Sequence, residues 1–349
     1  MTPLTTVSIT ARKVVRYGVY SITLFFLVRF AVQTAITLYR KFFPPAPPPP
    51  TVAFGKLPKI PFPMEPLANV TYKLETPDAS LTKLAEQLPV FVMPPVTPKI
   101  NAFNDAKDKA QKLKFSVDGQ NIIENIPNVY IFKKKDSTAI LTMNIISGTF
   151  SVSYDLASDT TVLQIKPSSQ EKSITDVTAF LQKAELYTED LSGDPITQLI
   201  RVEGGTLKEA ISLSEADFVK VNYFRKKIEF GKSTFGSITP DYPESNVWFI
   251  TNGEDVVLGE YHYFPIDETK SATYPLKTSE ILWKELGEGK AFIINPQNQK
   301  GEIVIRRIYL SYYDPGQSAS YYQPVAVFEG DNNFFAVLPA VTDEYYGDK

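Results

Sequence analysis

GEIVIRRIYLSYYD, residues 301–314, reads as a long β-strand, and what must lie on its two faces decides the fold. Val304, Ile308, Leu310 and Tyr312 share one parity, while Ile303, Ile305, Arg307, Tyr309 and Tyr313 share the other. Successive strand side chains point to opposite faces. Both faces are therefore largely apolar, so the sheet is covered on both sides or leaves one side sticky. A helix can cover one side, and no second helix is obviously available for the other. The polar loop DPGQSAS (314–320) leads to a second strand, YYQPVAVFEG (321–330), and suits the exposed edge of a sheet. The expectation is an exposed aromatic groove for protein or peptide contact, lined by Tyr309, Tyr313 and one of Tyr321 or Tyr322. The competing reading packs these rings in the core, as aromatic residues in strands usually do.

Working outward, the body alternates helices with runs of strands. LTKLAEQL (81–88) places Leu81, Leu84, Ala85 and Leu88 on one helical face, and FNDAKDKAQKL (103–113) does so with Phe103, Ala106, Ala110 and Leu113. Strands follow around 129–133, 139–146 and 149–154, with Ser147-Gly148 as a hairpin turn. The polar stretch KPSSQEK (166–172) reads as a domain boundary. SITDVTAFLQKAEL (173–186) then opens a second unit, capped by Ser173 with Asp176 and burying Ile174, Val177, Leu181 and Ala184. Strands are expected at 198–202, 219–230, 247–251 and 256–264. The helix TSEILWKELGEG (278–289) starts at Thr278 and stops at Gly287. It leads into the two long strands and then FFAVLPAV (334–341). A helix followed by antiparallel strands is an α+β plan, with helices packed on one face of each sheet.

The N-terminal end is different. Tyr17–Tyr39 is an apolar run of 23 residues, about 34 Å as a helix and enough to cross a ~30 Å hydrocarbon core. Arg29 and Gln33 interrupt it, so an amphipathic helix in the membrane interface is the alternative. Arg29 is either tolerated by snorkelling or meets an acidic group in a partner's membrane helix. Arg12, Lys13 and Arg16 precede the run, against Arg40 and Lys41 behind it. The positive-inside rule then places the N-terminus in the cytoplasm and residues 44–349 outside. Residues 44–66 hold ten prolines, which favour polyproline II and a semi-rigid stalk reaching roughly 70 Å. A PxxP ligand is the competing use.

Composition excludes several chemistries. Residues 1–43 carry six basic side chains and no acidic ones, leaving 30 basic against 39 acidic in the rest, a net −9. Such a body is a poor nucleic-acid partner. Without cysteine there is no disulfide, thiolate nucleophile or cysteine-bound metal. The one histidine, His262, cannot build a two-histidine metal site, and no G-x-S-x-G elbow accompanies it. Gly231-Lys232-Ser233 mimics the end of a phosphate loop, but Lys226 stands where that pattern needs glycine. VEGGTLKE (202–209) reads as a turn between strands, and DGQNIIE (118–124) lacks a calcium loop's carboxylates. No catalytic constellation or cofactor site emerges, so a non-enzyme is expected.

The helix ending in LGEG, the strand ending in Tyr312-Tyr313, and its partner with Tyr322, Pro324, Val325 and Phe328 resemble a known pattern. They are similar to the closing strands of YycH/YycI-type regulators, whose N-terminal membrane helix carries extracytoplasmic PepSY-like α+β modules. The resemblance covers about residues 173–341, and the chain departs from it in its proline stalk and in Arg29. It implies a non-catalytic protein that contacts a sensor kinase through its membrane helix and outer domains.

These readings combine into one architecture. A cytoplasmic N-terminus and transmembrane helix (1–43) precede a proline-rich linker (44–66) and two helix-on-antiparallel-sheet domains, 67–166 and 173–349. The expected role is a membrane-anchored regulator or binding module whose partner is a membrane protein such as a sensor kinase. The alternative is a structural cell-envelope protein projecting a domain that binds wall polymer or glycan.

Overall fold

A computed structural model describes residues 4–42, 48–63, 70–78, 80–116, 127–296 and 299–347. It is an α+β protein of two compact units, Met1–Pro49 and Pro50–Lys349. The first contains helix α1 (Leu4–Phe42), in which Ser8–Tyr39 is long and apolar enough to cross a membrane. Thr23, Thr34 and Thr37 donate their hydroxyls to the carbonyls of Val19, Phe30 and Gln33 one turn back. Three of the polar side chains in the apolar run are thus satisfied within the helix itself.

The second unit is nested. Its elements, in chain order, begin with β1 (Val70–Leu74), β2 (Gln87–Val92), α2 (Ala102–Lys112), β3 (Val129–Lys133), β4 (Ile140–Asn144) and β5 (Phe150–Ser153). There follow α3 (Gln170–Lys183), β6 (Ile196–Glu203), β7 (Thr206–Glu209), β8 (Phe218–Tyr223), β9 (Ile228–Phe230), β10 (Ser233–Phe235) and β11 (Ser237–Ile238). The chain closes with β12 (Val247–Thr251), β13 (Val256–Tyr261), β14 (Asp267–Pro275), α4 (Ser279–Gly287), β15 (Phe292–Ile294), β16 (Gly301–Tyr313), β17 (Tyr321–Gly330) and β18 (Phe334–Pro339). The middle of the chain forms an inner sheet of order β3-β4-β5-β13-β12-β8-β6-β7. Both ends of the unit form an outer sheet of order β1-β16-β17-β18-β15, with β2, β11 and β14 attached. A short hairpin, β9-β10, stands apart.

The expected boundary at 166–172 is therefore corrected. β5 pairs with β13 in register Phe150↔Tyr261, so strands from both supposed domains share one sheet. KPSSQEK instead starts α3. Ser169 is the N-cap and accepts from Lys172 N at 3.0 Å, while Ser173 lies buried in the first turn. The 81–88 segment is not helical either; its end joins β2, which pairs with β14 and β17. Pro89 disfavours helical backbone at Leu88, and the fully buried run Leu88–Phe91 is satisfied by a sheet. The long strand expected at 219–230 is broken into β8 and β9 by Phe224–Lys227.

Helix side chains contribute to both cores. Ala106 and Ala110 of α2 and Val177 and Leu181 of α3 join Leu141, Phe150, Val221 and Phe249 in the inner core. Leu282 and Leu286 of α4 join Ile305, Tyr312, Tyr322 and Phe328 on the outer sheet.

Two features settle the faces of β16. A bulge between Ile305 and Arg307 shifts its register against β17. Ile303 and Ile305 before it, and Ile308, Leu310 and Tyr312 after it, consequently share the core beneath α4. Tyr309 and Tyr313 face the opposite side, with Ile60, Phe292, Val325 and Val337. The proline-rich segment itself covers part of both sides: Val52, Phe54 and Leu57 join the α4 side, and Ile60 and Phe62 the Tyr313 side. Leu57 is fully buried, donates N–H to Tyr345 O at 2.8 Å and accepts from Gly347 N at 2.9 Å. Phe62 stacks on Phe292 at 5.5 Å and meets Tyr313 edge-on at 4.7 Å. Residues 51–62 are thus a strap on the body and not a free stalk. Of the stretch read as a rod, 44–47 and 64–66 lie outside the described residues, as does DGQNIIE.

Burial has a titration consequence. The phenols of Tyr223, Tyr261, Tyr263, Tyr312 and Tyr322 are all held above their usual range, chiefly by burial. A pKa raised in the folded state contributes stability that is complete below the unfolded value, about 10, and is lost as pH rises beyond it. Absorbance titration at 295 nm should show this buried set ionising only on alkaline unfolding. Ionisation of all tyrosines in one step near pH 10 with circular dichroism unchanged would refute the packing described.

Candidate functional site

A buried cation spans the seam between the two sheets. β8 ends at Tyr223, and Arg225 follows with its side chain 2% exposed. Its Nε donates to Asp314 Oδ2 at 2.7 Å, Nη1 to Asp190 Oδ2 at 2.8 Å, and Nη2 to Phe264 O at 2.6 Å. Tyr263 and Tyr322 flank the guanidinium at 5.0 and 5.4 Å. Tyr263 also donates its hydroxyl to Asp190 Oδ1 at 2.6 Å. Asp314 closes β16 of the outer sheet, whereas Asp190 precedes the inner strand β6, so the fork of Arg225 spans the seam. Burial alone would lower the guanidinium pKa, but Asp314, Tyr322 and Asp190 outweigh it and raise the pKa above its ordinary value.

Beside this pin a cleft of about 700 Å³ opens. Its outer-sheet wall carries Arg307, Tyr309, Ser311 and Glu329, and Tyr242 completes it. Its inner wall is the 192–196 loop with Phe224–Lys227. The two parts of that inner wall touch closely. Gly193 N–H donates to Phe224 O at 3.1 Å, and a Cβ on Gly193 would lie 2.5 Å from Arg225 O. Only glycine fits there. Tyr242 stands edge-on to Phe335 at 4.8 Å. The Arg307 guanidinium lies 5.2 Å over the Tyr309 ring and pairs with Glu329 at 3.3 Å. Burial raises the Tyr309 and Tyr242 phenols above their usual range, so both present neutral hydroxyls. The cleft thus offers aromatic surface, neutral donors and charges of both signs.

Tyr309, Tyr313 and the Tyr321/Tyr322 pair do not line one groove, which corrects that expectation. Tyr309 lines the cleft. Tyr313 is 2% exposed beneath Phe62, and Tyr322 is 1% exposed and stacked on Tyr312 at 4.9 Å. Tyr321 stacks on Phe54 of the strap at 5.1 Å. Tyr313 and Tyr321 border a separate hollow of about 210 Å³ with Pro58, Pro61 and Pro315. β17 is not a sheet edge, since it also pairs with β18 and β2. Arg29 lies within α1. His262 sits 3.9 Å from Glu260, and Gly231-Lys232 is the turn between β9 and β10. Arg225, Asp190, Asp314 and Tyr242 escaped the sequence reading. The interruption of an apolar strand by Arg225-Lys226-Lys227 was the available signal.

No protein family matches the chain, and no curated protein does. Among solved structures, an uncharacterised protein from Eubacterium rectale ATCC 33656 is similar at 12% identity, covering 76% of this chain and 85% of its own, with a TM-score of 0.39. A likeness of that degree says nothing about function.

Proposed function

We propose that this chain is a membrane-anchored, non-catalytic binding module or regulator whose body lies outside the cytoplasm and captures a partner protein in the inter-sheet cleft. The observation that carries the reading is the cleft: a wide, aromatic-walled opening at the junction of two sheets, where binding sites commonly form. The basic leading flank of α1 and its apolar span support the anchor and its sidedness. The resemblance to YycH/YycI-type regulators supports a membrane protein such as a sensor kinase as partner, with Arg29 as a contact to an acidic group in that partner's membrane helix.

Two measurements test this. Protease added to intact spheroplasts should digest the body and spare the first ~40 residues; full protection of the body reverses the sidedness. A photo-crosslinking residue at Tyr309 should capture a defined membrane protein, while the same residue at Ile281, exposed on α4, does not. Alanine at Tyr309 should weaken that capture by about 1–2 kcal/mol, the scale of an interface tyrosine, with melting temperature nearly unchanged. Adducts to bulk wall polymer would favour the structural cell-envelope reading instead.

A further inference from the structure

β16 is paired unevenly. On one side β17 matches it from Ile305 to Tyr313. On the other, β1 covers Gly301–Ile305 and β11 covers Tyr312–Tyr313, both parallel to it. Residues 306–311 have no ladder partner on that side among the described residues.

Which peptide groups face the gap follows from Pro324, the residue opposite Tyr312. Proline has no N–H to exchange, so the Tyr312 peptide turns away from β17, and its N–H donates to Gly236 O at 2.9 Å. By the two-residue period, Ile308 and Leu310 turn the same way. Both residues are buried, at 4% and 6% exposure, where peptide groups are held to pair. The 233–238 run is placed to fill the gap, but it leaves β16 at Gly236, and β10 pairs with β9 instead. The resulting slot runs along the cleft, with Arg307 and Tyr309 on one bank and Thr234 on the other, and it closes where Gly236 O accepts from Ser311 Oγ at 2.8 Å and from Tyr312 N.

A row of donors and acceptors at strand spacing is complemented by another extended main chain, and neither a helix nor a glycan presents that pattern. We propose that the slot between β1 and β11 accepts an extended peptide segment of a partner protein, about four to five residues long, as an added strand of the outer sheet. Alternate side chains of the segment enter the cleft beside Tyr309 and Tyr242. The proposal rests on the cleft reading above and names what the cleft recognises.

The probe is a heptapeptide selected from a random phage-displayed library against the full chain in detergent micelles. N-methylation at alternate peptide positions should weaken binding tenfold or more, and at the intervening positions much less. Peptide addition should slow hydrogen exchange at the Ile308 and Leu310 amides at least tenfold. The Tyr309 and Ser311 amides, which face β17, should not change. Peptides that bind and are weakened by Tyr309→Ala, yet show neither the alternation nor the protection, overturn strand addition and leave the cleft reading standing. If no peptide binds, or if wall-derived glycan fragments compete at Tyr309 instead, both are overturned.

Discussion

Alanine at Arg225 lowers the unfolding free energy of the full chain in detergent by about 3–5 kcal/mol, the cost of stripping one partner from a buried ionic cluster. Asp190 and Asp314 are 9% and 7% exposed, and both accept from this guanidinium. Without it, two carboxylates remain buried together with no cation at 2.7–2.8 Å. Lysine recovers part of the loss, because a point charge cannot reach Asp314, Asp190 and the Phe264 carbonyl with one rigid fork. Replacing all three groups together, as Arg225→Met with Asp190→Asn and Asp314→Asn, costs less than Arg225→Ala alone. Urea denaturation followed by intrinsic fluorescence measures each variant. A loss below about 1 kcal/mol for Arg225→Ala would mean that the cluster is not what joins the sheets.

Alanine at Leu57 costs about 2–5 kcal/mol by the same measurement, the range for deleting a fully buried leucine side chain. Leu57 has no exposed surface, and its neighbours Val52, Phe54, Ile60 and Phe62 pack on the outer sheet or its margins. Its main chain is clamped to Tyr345 and Gly347 near the end of the chain. A residue in a free stalk would cost nothing when truncated, so unchanged stability would restore the spacer reading.

Elements whose pattern is local were legible. The strands at 129–133 and 321–330, α2 with Ala106 and Ala110 inward, and α4 ending at Gly287 all follow from periodicity and turn residues read within a dozen positions. Segment 81–88 misled because three leucines fall at helical spacing by chance, while the deciding partner, β14, lies about 185 residues downstream. Of the residues expected in one groove, Tyr309 lines the cleft, whereas Tyr313 and Tyr322 are buried away from it. Tyr313 shares the face of Tyr309, as alternation requires, but Phe62 of the distant strap covers it, and Tyr322 stacks on Tyr312 on the other face. The bulge after Ile305 reverses parity, and nothing in the residues themselves marks it.

The sequence by itself determined an apolar helix of membrane length, an α+β body and two largely apolar faces along 301–313, because each depends on side-chain polarity and short-range geometry. Only the tertiary structure decided what covers those faces. One is closed by α4 with Val52, Phe54 and Leu57 of the proline-rich strap, and the other takes Ile60 and Phe62 of the same strap, about 250 residues away in sequence. The division into nested sheets, the Arg225 pin and the unpaired stretch of β16 are likewise tertiary. Hydrophobic burial is non-directional, so an apolar face states that it must be covered without stating by what. Main-chain pairing is equally silent about its partner, since every residue but proline offers the same donor and acceptor.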